Sequence, residues 1–115
     1  MKLTSIFLCC FGLCISSFTN AKKPIPMSDS LYNGKYFLLS NTKNNNINTV
    51  VYQANFKTET VFSKMEINCS TRKYRKIGEG INSVNTIDLY EDKGKWTSPF
   101  PQASHDDVVK FICKK

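Results

Sequence analysis

Apolar and polar residues alternate most regularly from Val61 to Cys69. Val61, Ser63, Met65, Ile67 and Cys69 take one side, and Phe62, Lys64, Glu66 and Asn68 take the other. A period of two is the signature of a half-buried strand. Ser70, Thr71 and Arg72 then turn the chain, and the segment through Ile77 returns as a second strand, so the centre of the sequence reads as a hairpin. Upstream, Val50, Tyr52, Ala54 and Phe56 oppose Val51, Gln53 and Asn55, which predicts another strand from Thr49 to Lys57. Tyr36 to Leu39 is a shorter apolar run. The asparagine-rich stretch from Asn41 to Asn48 offers turn formers and almost nothing to bury, and it reads as a loop.

Downstream the pattern weakens and then changes period. Gly78-Glu79-Gly80 lacks the third glycine of a phosphate-binding loop and no helical pattern follows it, so it reads as a strand end or bulge. Val84, Thr86, Ile87 and Leu89 make a weak strand between Asn82 and Tyr90. Glu91 to Gly94 turns the chain back toward Trp96, a core or edge plug. Ser98-Pro99-Phe100-Pro101 is a rigid connector, and Ser104-His105-Asp106-Asp107 fits a helix start with Ser104 as its cap. Val108 and Ile112 lie four apart, as do Val109 and Cys113, giving adjoining apolar tracks, while Lys110, Lys114 and Lys115 turn to water. Asp106 and Asp107 suit the positive end of the helix dipole. The predicted fold is α+β, a small antiparallel β-sheet closed by a C-terminal helix.

The N-terminus changes this picture. A basic start, an uncharged apolar run and Ala21 before Lys22-Lys23 read as a cleaved secretory signal over residues 1–21. The run is shorter than the roughly 20 apolar residues a spanning helix needs, and no transmembrane segment is expected in the mature chain. Phe7-Leu8-Cys9 before Cys10 and Phe11-Gly12-Leu13 before Cys14 do not fit a lipidation site, so no lipid anchor is expected. Residues 22–35, with Pro24, Pro26 and Ser28-Asp29-Ser30, read as a flexible, poorly ordered lead-in, and residues 36–115 as one domain. Of five cysteines, Cys9, Cys10 and Cys14 leave with the signal. Export is into an oxidising compartment, so the remaining pair, Cys69 and Cys113, is expected to form a disulfide.

The chain carries 16 Lys and Arg against 9 Asp and Glu, a formal charge of +7. Such a balance attracts acidic partners and also serves solubility. The densest basic segment is Arg72-Lys73-Tyr74-Arg75-Lys76, and strand alternation puts Arg72, Tyr74 and Lys76 on one face and Lys73 and Arg75 on the other. These five residues, with Trp96, are the ligand-binding candidates. Cations interleaved with an aromatic suit an acidic protein or polysaccharide; no nucleic acid is expected. His105, the only histidine, reads as an exposed residue of the first helical turn. It has no nucleophile in its pattern, there is no Cys/His cluster of zinc spacing, and the acidic pairs Glu91-Asp92 and Asp106-Asp107 sit in a turn and a helix start. No catalytic residue, metal or cofactor is expected, and the chain reads as non-enzymatic.

Met65-Glu66-Ile67-Asn68-Cys69-Ser70-Thr71-Arg72-Lys73-Tyr74-Arg75, then Trp96 with a proline-rich connector and Ser104, then Val108 to Cys113, resemble the bacterial surface-adhesin protein E family. The resemblance covers Val61 to Cys113. It implies a surface or secreted domain of antiparallel sheet plus helix, its two cysteines bonded, with founding members that bind host matrix and plasma proteins. Pro101-Gln102-Ala103-Ser104 replaces the family's Pro-Gly-Ser connector. The resulting expectation is an exported binding domain, located in the periplasm, at the cell surface or in the medium. The alternative is a periplasmic inhibitor or immunity-type protein that docks onto an enzyme.

Overall fold

The computed structural model describes residues 22–114. The signal reading of residues 1–21, and Lys115, lie outside the described residues. The fold is α+β. A six-stranded antiparallel sheet runs in simple sequence order: β1 (Lys23–Pro24), β2 (Tyr36–Asn44), β3 (Ile47–Asn55), β4 (Thr60–Asn68), β5 (Lys73–Ile81) and β6 (Asp88–Leu89), followed by one helix, α1 (Ser104–Cys113). No helix among the described residues is long and apolar enough to cross a membrane.

Helix α1 packs on one face of the sheet. Val50, Tyr52, Ala54, Met65 and Ile67 supply that face, as their alternation requires, and Val108 and Val109 close over it from the helix. Cys69 and Cys113 form the expected disulfide, with Cα atoms 5.5 Å apart. It pins the last helical residue to the β4–β5 turn.

Five features depart from the sequence reading. The expected lead-in over residues 22–35 is extended but not idle. Lys23 and Pro24 pair with Leu38 and Phe37, the Ile25 amide donates to the Tyr36 carbonyl at 2.9 Å, and Ile25 and Met27 enter the core. Proline is tolerated in an edge strand, where its missing N–H costs no ladder bond. The Asn41–Asn48 loop is instead the tight end of a long hairpin, with Asn44 opposite Ile47 and Asn45 in the left-handed region at φ 61°. Residues 40–44 of its outer strand are exposed throughout, so they carry no alternation to read.

The weak strand over 82–90 is a single 3-10 turn, Val84–Thr86, followed by the two-residue β6. The Ser83 hydroxyl accepts from the Asn85 amide at 3.2 Å, which diverts the backbone from extension. This segment lies against the helix-free face at Gly78 and Gly80. A Cβ on Gly80 would sit 2.5 Å from the Thr86 Oγ1, so the glycines are there for close approach. A bulge beside them, at Ile77 opposite Lys64 and Met65 of the partner strand, agrees with the reading of Gly78-Glu79-Gly80. The same cover explains why Phe62, expected in the polar row, is only 8 % exposed: it pairs directly with Gly80.

The helix starts one residue earlier than expected. Ala103, not Ser104, is the N-cap, with no side-chain capping bond. Asp106 instead reaches back, its carboxylate accepting the Gln102 amide at 2.9 Å. Asp107 is buried, and its two oxygens accept from the Ser28 amide and hydroxyl at 2.9 and 2.7 Å, sewing the lead-in to the helix.

Candidate functional site

Directly opposed residues of antiparallel strands share a face. The four-residue turn Cys69–Arg72 therefore fixes the hairpin register as Asn68 to Lys73, Ile67 to Tyr74, Glu66 to Arg75 and Met65 to Lys76. Because Met65 and Ile67 belong to the core row, Tyr74 and Lys76 are on the helix side. Lys73 and Arg75 are on the free side. The basic strand is thus divided between two environments.

On the free side Arg75 is held in a fixed pose. Its Nε donates to Glu66 Oε1 at 2.9 Å, and its guanidinium carbon lies 4.2 Å from the Trp96 ring centroid. The second carboxylate oxygen, Oε2, takes Lys93 Nζ at 3.0 Å. Trp96 reaches this position because Gly94, at φ 80°, reverses the chain and Thr97 then exchanges backbone bonds of 2.8 and 2.9 Å with Tyr74. Burial alone pushes the Glu66 carboxyl up, but the hydrogen bonds and charges of Lys93 and Arg75 outweigh it, and the net shift is below the ordinary carboxylate value. One acid thus orients two cations. Lys73 is exposed beside them, and Lys64 shares the same face from β4.

On the helix side the candidates are otherwise engaged. The Tyr74 ring packs on His105 with centroids 4.7 Å apart, so His105 is half-buried rather than an exposed helix residue. Burial first, and the charge of Lys76 second, lower the His105 pKa. Lys76 pairs with Glu79 at 3.0 Å. Arg72 is in the turn, at φ 57° and exposed, away from the face that alternation assigned it. The expected grouping of Arg72, Tyr74 and Lys76 is therefore not one exposed surface, whereas Arg75 and Trp96 are brought into contact.

Glu66 and Lys93 are the members of this site that sequence reasoning did not single out. Glu66 was recoverable, since counting outward from a four-residue turn sets it opposite Arg75. Lys93 arrives through a loop whose course no periodicity specifies. A separate open groove of about 420 Å³ runs between the lead-in and α1. Its buried acid, Asp107, is engaged by Ser28, so the groove is the seam between those two segments. Among the described residues no group of three or more His, Cys, Asp or Glu is placed to hold a metal. Neither protein-family models nor curated proteins nor solved structures yield a match to this chain.

Proposed function

We propose that the chain is an exported, non-enzymatic binding domain of the surface-adhesin E kind, which holds an acidic protein or polysaccharide on the helix-free face of its sheet. The observation that supports this reading is the Arg75 guanidinium stacked on Trp96 and anchored through Nε alone. A guanidinium fixed along one edge keeps its terminal N–H groups for a carboxylate or sulfate, and Lys93, Lys73 and Lys64 add charge around it. Pre-ordering these long side chains removes entropy that binding would otherwise cost.

Trp96 is the only tryptophan, so its fluorescence reports on the site directly. Titration with a sulfated polysaccharide such as heparin should quench or shift that emission, and the response should fade as salt rises, since exposed charges are screened within about 10 Å at 0.1 M. Arg75→Glu with Lys73→Glu should abolish the response, while Lys76→Glu, on the helix side, should leave it. Binding that survives the double reversal at high salt would remove this face from the mechanism.

A second reading, an inhibitor-type protein that docks onto an enzyme, draws on Phe100. It is 79 % exposed between Pro99 and Pro101, its carbonyl accepting from the Ala103 amide at 3.0 Å. A rigid, exposed aromatic of this kind is an interface anchor. Cell fractionation separates the two readings: a periplasmic pool favours the inhibitor, surface exposure the adhesin.

A further inference from the structure

Strands β3 to β5 each span nine residues, about 30 Å, whereas the ten residues of α1 span about 15 Å. The disulfide fixes α1 over the Cys69 end of the sheet, so the opposite end of the same face extends beyond its first turn. There the core row continues as Ala54, Phe56 and Val61, and a cleft of about 150 Å³ opens between these residues and His105. Phe56 forms one wall with Tyr36 and Tyr32, in edge contacts of 6.2 and 6.3 Å. Across from it lies the Lys76–Glu79 ion pair, and Glu79 also accepts from the Tyr90 hydroxyl at 3.3 Å.

The cleft combines aromatic and aliphatic walls with the hydroxyls of Ser63 and Ser104 and with one cation and one anion side by side, and no surplus of either sign. A polyanion gains nothing from such a pair, and an uncharged apolar ligand wastes it. We propose that this cleft binds a free α-amino acid with an apolar side chain. Its carboxylate meets Lys76 Nζ, its ammonium meets Glu79, and its side chain packs on Phe56 and Val61. The α-carbon holds the two charges at the short spacing the protein pair presents. A half-exposed ion pair contributes little by itself, so interposing the ligand's charges costs little. His105 stays neutral near pH 7, its pKa being lowered by burial and by Lys76, and it adds no third charge to upset the match. This site is independent of the acidic-partner face, from which it is separated by the sheet.

The test is an amide-resolved NMR titration of the purified protein with L-leucine. Saturable shifts are expected at Ala54, Phe56, Val61 and His105, and they should weaken far less with salt than the heparin response, because the ligand carries no net charge. Two analogues dissect the recognition: 4-methylpentanoate lacks the ammonium and isoamylamine lacks the carboxylate, and each should bind at least about tenfold more weakly. Lys76→Met and Glu79→Gln should each weaken leucine by about the same factor. Val61→Trp fills the cleft without touching either charge and should block binding while circular dichroism shows the fold intact. Arg75→Glu, on the other face, should change nothing. No saturable shift up to about 20 mM leucine, equal binding by either single-charge analogue, or undiminished binding by Val61→Trp would each overturn the proposal.

Discussion

Two titratable side chains face opposite sides of the sheet, and both weaken the fold in acid, over separate pH ranges. Glu66 has a folded pKa below its ordinary value because Lys93 and Arg75 outweigh its burial. Its stabilising contribution is complete above the unfolded value, about 4.3, and is lost as pH falls through the lower folded value. His105 also has a lowered folded pKa, from burial and from Lys76. For a base, the unfolded chain then takes up its proton first, so stability falls as pH drops below about 6.5 toward the folded value. Urea unfolding across pH should therefore show two separable losses. His105→Gln is expected to flatten the one that sets in below about pH 6.5, and Glu66→Gln the one below about pH 4.3. If His105→Gln leaves the upper limb unchanged, the Tyr74–His105 packing does not keep the imidazole neutral.

At the level of elements, the sheet was legible wherever one face is buried. The rows Val50, Tyr52, Ala54 and Met65, Ile67 stand on the helix side as their spacing requires, and the turn after Asn68 fixes a register that puts Arg75 opposite Glu66. Legibility ended where side chains stop distinguishing two faces. The outer half of β2, Ser40 to Asn44, is exposed throughout and is a strand only because β3 pairs with its backbone. Phe62 broke the opposite rule: it is buried in the polar row, opposite Gly80, over which Thr86 and Ile87 close. That cover depends on Gly80. Gly80→Ala would drive a Cβ to 2.6 Å from the Ile87 amide nitrogen, against backbone that cannot yield cheaply. The expected cost is about 1–3 kcal/mol, as for overpacking a filled core, with the largest gain in amide exchange at Val84–Thr86 and β6. The pocket at the helix start was illegible for a related reason: it arises from a mismatch of element lengths, and no single residue advertises it.

For the whole molecule, the disulfide is the main long-range fastening at one end of α1, and the Ser28–Asp107 bonds are its counterpart on the helix's early turns. Closing a loop over a sequence separation of 44 contributes about 4 kcal/mol in the chain-entropy account. For a domain with a typical stability of about 5–15 kcal/mol that is a large share. The double variant Cys69→Ala with Cys113→Ala should lose about that amount in urea unfolding, and native mass spectrometry of the wild-type protein should show no free thiol at either position. A loss under about 1 kcal/mol would mean that the unbridged chain keeps the helix near the turn before folding.

The seam between Ser28 and Asp107 joins residues 79 apart, almost the full length of the described chain. It sets an order of events as well as a contact. The meander from β2 to β5 consists of neighbouring hairpins, which a growing chain completes one at a time as each turn emerges. Its apolar face, with Val50, Met65 and Ile67, has no cover until the last dozen residues arrive. Only then can Ser28 be fastened down, because the acid that holds it is made near the end. A chain threaded N-terminus first, from a ribosome or through a membrane pore, is therefore unsealed until it is released. Its beginning waits for its end, and a chain cut short before α1 is left with an unsheltered sheet for quality control to recognise.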